Sequence, residues 1–252
     1  MSLKPAFLLF LIGICWVNFI FPQAAEEKTI AEKQETEKPA FQLGISFGFS
    51  FSNGNFSERD NNTVSLGFAE KNGNSFQLIE LTYRIRPKLL AKVFYLQSKH
   101  DVAEEKLAES LADGNFTYQV SSTNYELKAF VGGIGFQLPG ETASLSLLFL
   151  LAYGNTFVPA FEIEASDQNG NKRLLSKPPK DEAAFGFGVN PVLSIHLNQR
   201  LNFNTQLSYL IFESKFERIQ VNQSAINNPF SDPVEKFGYE ALNITFGFSY
   251  YL

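Results

Sequence analysis

The sequence predicts an all-β fold: an eight-stranded antiparallel up-and-down transmembrane β-barrel with short turns on one side and long loops on the other. Three observations carry this expectation. The chain ends on Tyr239 to Leu252, where Leu242, Ile244, Phe246, Phe248, Tyr250 and Leu252 alternate with Ala241, Asn243, Thr245, Gly247 and Ser249. Successive side chains of a strand point to opposite faces, so this is a strand with one apolar and one small, polar face. Phe41 to Ser52 repeats the pattern, with Phe41, Leu43, Ile45, Phe47, Phe49 and Phe51 against Gln42, Gly44, Ser46, Gly48, Ser50 and Ser52. Mean hydropathy is only −0.09, as expected where alternating strands average an apolar face with a polar one. In water a free apolar edge invites aggregation. A barrel in lipid pairs its last strand with its first and turns its apolar face outward.

The 252 residues suit one domain. At the amino end, Lys4, the apolar run Ala6 to Phe21 and Pro22-Gln23-Ala24-Ala25 read as a signal peptide cleaved after residue 24 or 25. Cys15 is not expected to carry lipid, because Ile14 before it is too large. Residues 26–40 (EEKTIAEKQETEKPA) form a charged segment expected to be disordered in the periplasm. The barrel is assigned to residues 41–252. The only Cys and the only Trp fall in the leader, so the remaining chain has no thiol for catalysis, disulfides or metal binding. The net charge of −5 without a basic run argues against nucleic-acid binding.

The strands follow in order. After the first, residues 53–62 are polar and turn-rich. Thr63 to Glu70 alternates and is followed by Asn72-Gly73, a hairpin signal. Assigning Thr63–Glu70 to an outer loop keeps every later short turn on the periplasmic side, as such barrels require. Strand two is then Phe76 to Arg86, with Ile79, Leu81, Tyr83 and Ile85 outward, and strand three is Leu89 to Gln97. Residues 98–116 form a second outer loop with a short helix over Val102 to Ala112. Strand four spans Thr123 to Leu138, with Tyr125, Leu127, Ala129 and Val131 outward and a phase slip at Gly132-Gly133 that reads as a β-bulge. Strand five is Ala143 to Tyr153. The loop from Gly154 to Glu182 holds a hairpin turning at Asp167-Gln168-Asn169-Gly170-Asn171. Strand six, Ala183 to Leu197, contains Pro191, where a bulge or bend is expected. Strand seven is Leu201 to Phe212, a fourth loop runs from Glu213 to Gly238, and strand eight closes the barrel.

The alternation places Glu80, Thr82, Arg84, Lys92, Glu126 and Lys128 inside. Charges in a narrow lumen must pair, so Glu80, Arg84, Lys92, Glu126 and Lys128 are expected to form an ion-pair network that plugs it. A charged gate in a thin pore is the functional alternative. The sequence has two histidines. His100, beside Asp101 and two residues after Ser98, reads as a solvated loop residue rather than part of a triad. His196 reads as a lumen filler. Two histidines without cysteine make a transition-metal site improbable, and the Asp167–Asn171 spacing does not fit a calcium loop.

The signal peptide, the alternating strands, the short turns at Arg86-Pro87-Lys88, Leu138-Pro139-Gly140 and Asn198-Gln199-Arg200, and the terminal strand together resemble the OmpA/OmpX-like family of small outer-membrane barrels. The resemblance covers almost all of residues 41–252 and is architectural, without a diagnostic motif. It implies an outer-membrane location in a Gram-negative cell, outer-membrane lipids as surroundings, and periplasmic chaperones and the barrel-assembly machinery as partners. Phe246, Phe248, Tyr250 and Leu252 would form the barrel-closing assembly signal, with Leu252 standing where the family usually has Phe. The expected role is non-enzymatic and needs no cofactor: surface structure, binding or adhesion through the outer loops, toward an extracellular ligand or host protein. The alternatives are a narrow channel for small solutes or apolar ligands, a lipid-modifying enzyme with Ser, His and an acid at the outer rim, and, more remotely, a secreted β-sandwich.

Overall fold

In lipid a backbone N–H or C=O without a partner costs several kcal/mol, on the order of the penalty that confines membrane strands to closed sheets. The computed structural model meets this constraint by closure. It describes residues 41–53, 56, 69–111, 115–217 and 234–252. The expected leader (residues 1–25), the charged segment 26–40 and positions 63–68 lie outside the described residues. Eight strands form one closed antiparallel sheet: β1 (Phe41–Ser52), β2 (Ala69–Arg86), β3 (Leu89–Val102), β5 (Tyr125–Leu138), β6 (Ala143–Val158), β9 (Lys180–His196), β10 (Leu201–Glu217) and β11 (Val234–Tyr251). Three shorter strands, β4 (Phe116–Ser122), β7 (Phe161–Asp167) and β8 (Lys172–Lys177), make a second sheet in the order β4-β7-β8. Helix α1 (Glu104–Leu111) lies between β3 and β4. No helix among the described residues is long and apolar enough to cross a membrane.

The closing seam joins β1 to β11 in unbroken register from Gln42↔Tyr251 to Ser52↔Ala241. Phe246, Phe248, Tyr250 and Leu252 are on its outer side, 37%, 48%, 43% and 65% exposed, as a lipid-facing strand requires. The inner side approaches closely at two glycines. A Cβ on Gly48 would collide with the Ile244 carbonyl oxygen, and one on Gly247 with that of Ile45. Only Gly lets these two backbones run this near.

The strands outrun their apolar signal. β3, β6 and β10 continue to residues 102, 158 and 217, past the expected ends at 97, 153 and 212. Outside the membrane the side-chain pattern changes, but backbone pairing does not. The same continuation absorbs Asn72-Gly73. Rather than turning a hairpin, this pair lies inside β2, where the register to β3 shifts between Ala69 and Gly73. Ala69 and Glu70, the end of the expected loop segment, begin β2.

The bulge also falls elsewhere than expected. Both ladders of β5 pass Gly132 and Gly133 in continuous register. At Pro191 the ladder to β10 lapses between Val192 and Val189, where the proline lacks a donor, and resumes without slip. The extra residue sits in β2. Its register shifts against β1 between Gly44 and Ser46 and against β3 between Leu78 and Leu81. Ile79 there has φ 53° and is 73% exposed. The left-handed region is costly for a β-branched residue. The strain has a use: Gln77 before the bulge and Glu80 after it both point inward, at 0% and 3% exposure. Ile79→Gly is expected to remove the backbone strain and raise unfolding stability by about 1 kcal/mol, read as a higher urea midpoint of the barrel refolded in vesicles. A lower midpoint would show that the side chain's lipid contact outweighs the strain.

Candidate functional site

The lumen is built from inward positions of all eight barrel strands, and its two walls differ. β9, β10, β11 and β1 contribute Asn190, Asn204, Gln206, Ser208, Asn243, Thr245, Ser46 and Ser50, all buried. β3, β5 and β6 contribute Phe94, Leu96, Leu127, Ala129, Val131, Leu148 and Leu150, also buried. This apolar wall reverses the expected orientation of the first half of β5. Tyr125, Leu127, Ala129 and Val131 face the core instead of lipid, so the change of apolar phase along β5 marks a change of surroundings and no slip of the strand. Glu126 and Lys128 are therefore on the outer face and are not members of a lumen network. They pair there with each other at 2.9 Å, and Lys99 approaches Glu126 at 3.7 Å. They can stay charged because this stretch of β5 lies outside the apolar band, where the wall meets water. The Lys128 ammonium, with Lys99 behind it, holds the Glu126 carboxyl below its ordinary range.

Glu80 and Lys92 do meet inside. Their ion pair is 2.7 Å long, with side chains 4% and 5% exposed. β1 and β10 complete the group. Gln206 Nε2 donates to both Glu80 oxygens at 3.0 Å and to Ser46 Oγ at 2.7 Å, while Lys92 Nζ donates to Gln206 Oε1 at 2.6 Å. Ser46 Oγ donates to Glu80. The chain Glu80–Lys92–Gln206–Ser46 thus spans the lumen from β2 and β3 to β10 and β1. The lumen-facing Arg84 makes no ion pair with it among the described residues. Gln206 was invisible as a participant in the sequence, because an inward Gln on an ordinary strand carries no signal of what lies across the barrel.

Toward the outer mouth the lumen is closed by rings. Phe56, 0% exposed, packs with ring centroids 5.0 Å from His100, 5.4 Å from Tyr125 and 4.8 Å from Tyr239. His100 is thus a buried inward residue and not a solvated loop histidine, because β3 continues through it. Its Nε2 lies 2.8 Å from Ser50 Oγ and its Nδ1 3.1 Å from the Glu70 carbonyl oxygen. Tyr239 donates to Ser98 Oγ at 2.7 Å. Ser98, His100 and Ser50 thus meet beside Phe56, and among the described residues no carboxylate hydrogen-bonds to His100, so the geometry is that of a packed plug. At the other end His196 Nδ1 is 2.8 Å from Asn202 Oδ1. No group of three potential metal-ligating His, Cys, Asp or Glu residues occurs among the described residues. Outside, Asp167 accepts hydrogen bonds from the backbone N–H groups of Asn169 and Asn171 at 2.8 Å, and Gly170 takes φ 82°. The Asp167–Asn171 segment is a self-capped turn joining β7 to β8.

No family model matches this sequence, and no curated protein matches it. Among solved structures the chain is similar to neisserial surface protein A, with 14% identity, TM-score 0.45, and coverage of 84% of this chain and 97% of that one. It is similar to Ail, the attachment invasion locus protein of Yersinia pestis solved with the heparin analogue sucrose octasulfate, with 15% identity, TM-score 0.37, and coverage of 84% and 99%. A major outer membrane protein from Thermus thermophilus gives 13% identity, TM-score 0.41, and coverage of 84% and 100%. The assignment of a transmembrane barrel of the outer-membrane type rests on the strand pairing and the exposed apolar band of the chain itself.

Two outcomes follow from the lumen. Glu80→Ala leaves Lys92 buried without its counter-charge and should cost about 3–5 kcal/mol, measured by urea unfolding in vesicles. Adding Lys92→Met should recover most of that loss, and no recovery would mean the pair is not the source of the cost. The second outcome concerns acid. Burial pushes the His100 imidazole below its ordinary 6.5, against smaller raising effects of the Glu70 carbonyl and Asp101. The folded state then binds fewer protons than the unfolded state below pH 6.5, so stability falls as pH drops from 6.5 toward the lowered folded value. The slope is at most about 1.4 kcal/mol per pH unit. Unfolding midpoints at pH 7.5, 6.5 and 5.5 should show this decline, and His100→Gln should flatten it.

Proposed function

We propose that this chain is a non-enzymatic, non-conducting outer-membrane barrel that acts at the cell surface through the structure built by its outer connections. The observation that carries this reading is the second sheet. β4 pairs with β7 from Phe116↔Asp167 to Ser122↔Phe161, and β7 pairs with β8 from Phe161↔Lys177 to Ser166↔Lys172. Its inner face is apolar and buried, with Val120, Phe161, Ile163, Ala165 and Leu175 at 8% exposure or less. Leu107 of α1 joins the same apolar cluster. Its other face carries Thr117, Gln119, Ser121, Glu162, Glu164, Lys172 and Leu174. A connection that served only to join two membrane strands needs no core of its own, since loop closure grows costly only slowly with length. Folded connections on a rigid scaffold are where binding residues concentrate.

The lumen supports the same reading. An eight-stranded interior is about filled by its own side chains, and here the Glu80–Lys92–Gln206–Ser46 chain and the Phe56 plug occupy it at two levels. Both histidines are engaged in packing and hydrogen bonding within the lumen, which speaks for a non-catalytic role. The test has two arms. In planar bilayers the wild type should give no steady conductance, and a stable ohmic channel would overturn the closed-lumen reading. Cells displaying the chain should adhere to at least one member of a panel of extracellular-matrix proteins and surface glycans. Replacing residues 161–177 by a Gly-Ser turn should abolish adhesion while heat-modifiable gel mobility is retained. Undiminished adhesion would place the role elsewhere.

A further inference from the structure

On the outer wall of β3, β5, β6 and β9, cross-strand pairing sets Tyr95, Phe130, Tyr153 and Phe185 in one rung. Tyr95 and Phe130 have ring centroids 5.2 Å apart, and Tyr153 and Phe185 4.8 Å apart. Below this rung the wall is apolar and exposed, with Val93, Ile134, Phe149, Leu151 and Phe187. Such a belt marks the level where hydrocarbon gives way to head groups. The wall then changes character abruptly. The next outward rung is Gln97–Lys128–Asn155, and the one after it Lys99–Glu126–Phe157–Asp181. With a rise of about 3.4 Å per residue, these charges begin about 7 Å above the aromatic belt along the strand.

A cleft of about 640 Å³ opens at this height, lined by Lys99, Glu126, Phe157 and Asp181 on the barrel side. Thr123 and Asn124, in the connection between β4 and β5, line its other side. That connection is held from two directions. The backbone N–H and hydroxyl of Ser122 donate to Glu104 at 2.7 and 2.8 Å. Ala160 N–H donates to Thr123 Oγ1 at 2.9 Å, and Thr123 N–H to the Ala160 carbonyl at 3.1 Å. The cleft is therefore preformed, which lowers the ordering cost of binding.

Its chemistry is graded. Glu126 is shared between Lys128 and Lys99, so the β3–β5 side carries one more ammonium than carboxylate. Lys128 stands beside the cleft and does not line it; its Nζ is 4.6 Å from the centre of the lining Phe157 ring, within reach of a ligand at the cleft's edge. The β9 end offers the Asp181 carboxylate beside Lys180, whose ammonium is paired with Glu182 at 3.3 Å, and Thr123 and Asn124 supply a hydroxyl and an amide. Ammonium groups suit a phosphate. A flat ring flanked by a carboxylate, a hydroxyl and an amide suits the face and hydroxyls of a sugar. The cleft also sits directly over a lipid-facing wall, so the head group nearest at hand belongs to a lipid. We propose that it binds the phosphorylated saccharide head group of an outer-leaflet glycolipid, with the phosphate at Lys99 and Lys128 and the acyl chains lying along the apolar wall beneath the aromatic rung.

The barrel is tested whole, reconstituted in phosphatidylcholine nanodiscs containing either a monophosphorylated acyl-disaccharide or its dephosphorylated counterpart, with native mass spectrometry reading the glycolipid retained. Wild type should prefer the phosphorylated form at least tenfold. Lys99→Gln/Lys128→Gln should lose that preference, while Lys172→Gln, on β8 outside the cleft, should keep it. Preference that survives the double variant, or none in wild type, overturns the proposal. A second arm uses wild type alone and so does not depend on the variants folding. Acetylation of Lys99 and Lys128 should be slowed at least fivefold by the phosphorylated glycolipid and not by millimolar inorganic phosphate. Equal protection by inorganic phosphate would make the occupant a free anion and overturn the assignment to a lipid.

Discussion

Backbone pairing in a medium that offers no hydrogen bonds is the constraint on which the rest of this structure depends. An open sheet of these strands would leave the N–H and C=O groups of β1 and β11 in hydrocarbon. Closure removes both edges at once, and the seam from Gln42↔Tyr251 to Ser52↔Ala241 is where it happens. The small residues on the inner side of the seam follow from closure. Two strands brought this close, around a narrow interior, have no room for a Cβ at Gly48 or Gly247.

Closure creates a second problem, an interior that must be filled without leaving charge unpaired. The solution is divided by height. At mid-lumen one ion pair is wrapped by Gln206 and Ser46, so that both charged groups have further hydrogen-bond partners. Nearer the outer mouth the wall formed by β3, β5 and β6 turns apolar, Phe56 and Tyr239 pack against His100, and Tyr125 packs against Phe56. The bulge at Ile79 serves the first of these levels. It is a strained residue on the lipid side whose effect is felt on the inside, where it brings Gln77 and Glu80 to the lumen face on either side of an irregular register.

Beyond the aromatic belt the same strands do different work. Freed from lipid, their outer faces carry Lys99, Glu126, Lys128 and Asp181, while their inner faces remain apolar and support the plug. The second sheet and α1 complete this outer part: Glu104–Ser122 ties α1 to the end of β4, and Thr123–Ala160 ties the β4–β5 connection to the β6–β7 connection. The proposed surface role and the proposed glycolipid cleft both draw on this region, one on the sheet's polar face and the other on the wall beneath its connections.

The sequence by itself determined the barrel: the strand count, the lipid-facing residues of β1, β2 and β11, the short turns and the closing pair of strands. Each depends only on alternation and turn chemistry, which are local. It also pointed to Glu80 and Lys92, because a charge on a small-residue face has few places to go. Tertiary structure alone decided the rest. Which side of β5 faces lipid could not be read from Tyr125, Leu127, Ala129 and Val131, since an apolar residue suits a sealed lumen as well as a bilayer. The same ambiguity misplaced Glu126 and Lys128. The real bulge lay at Ile79, a β-branched residue with no local preference for such a conformation, while Gly132-Gly133 and Pro191 carried local signals that the ladders overrode. Gln206, Ser46 and Phe56 joined their sites from across the barrel, and β4 found β7 across an intervening hairpin. Those contacts depend on which strands stand opposite one another once the sheet has closed, and alternation along a single strand contains no information about that.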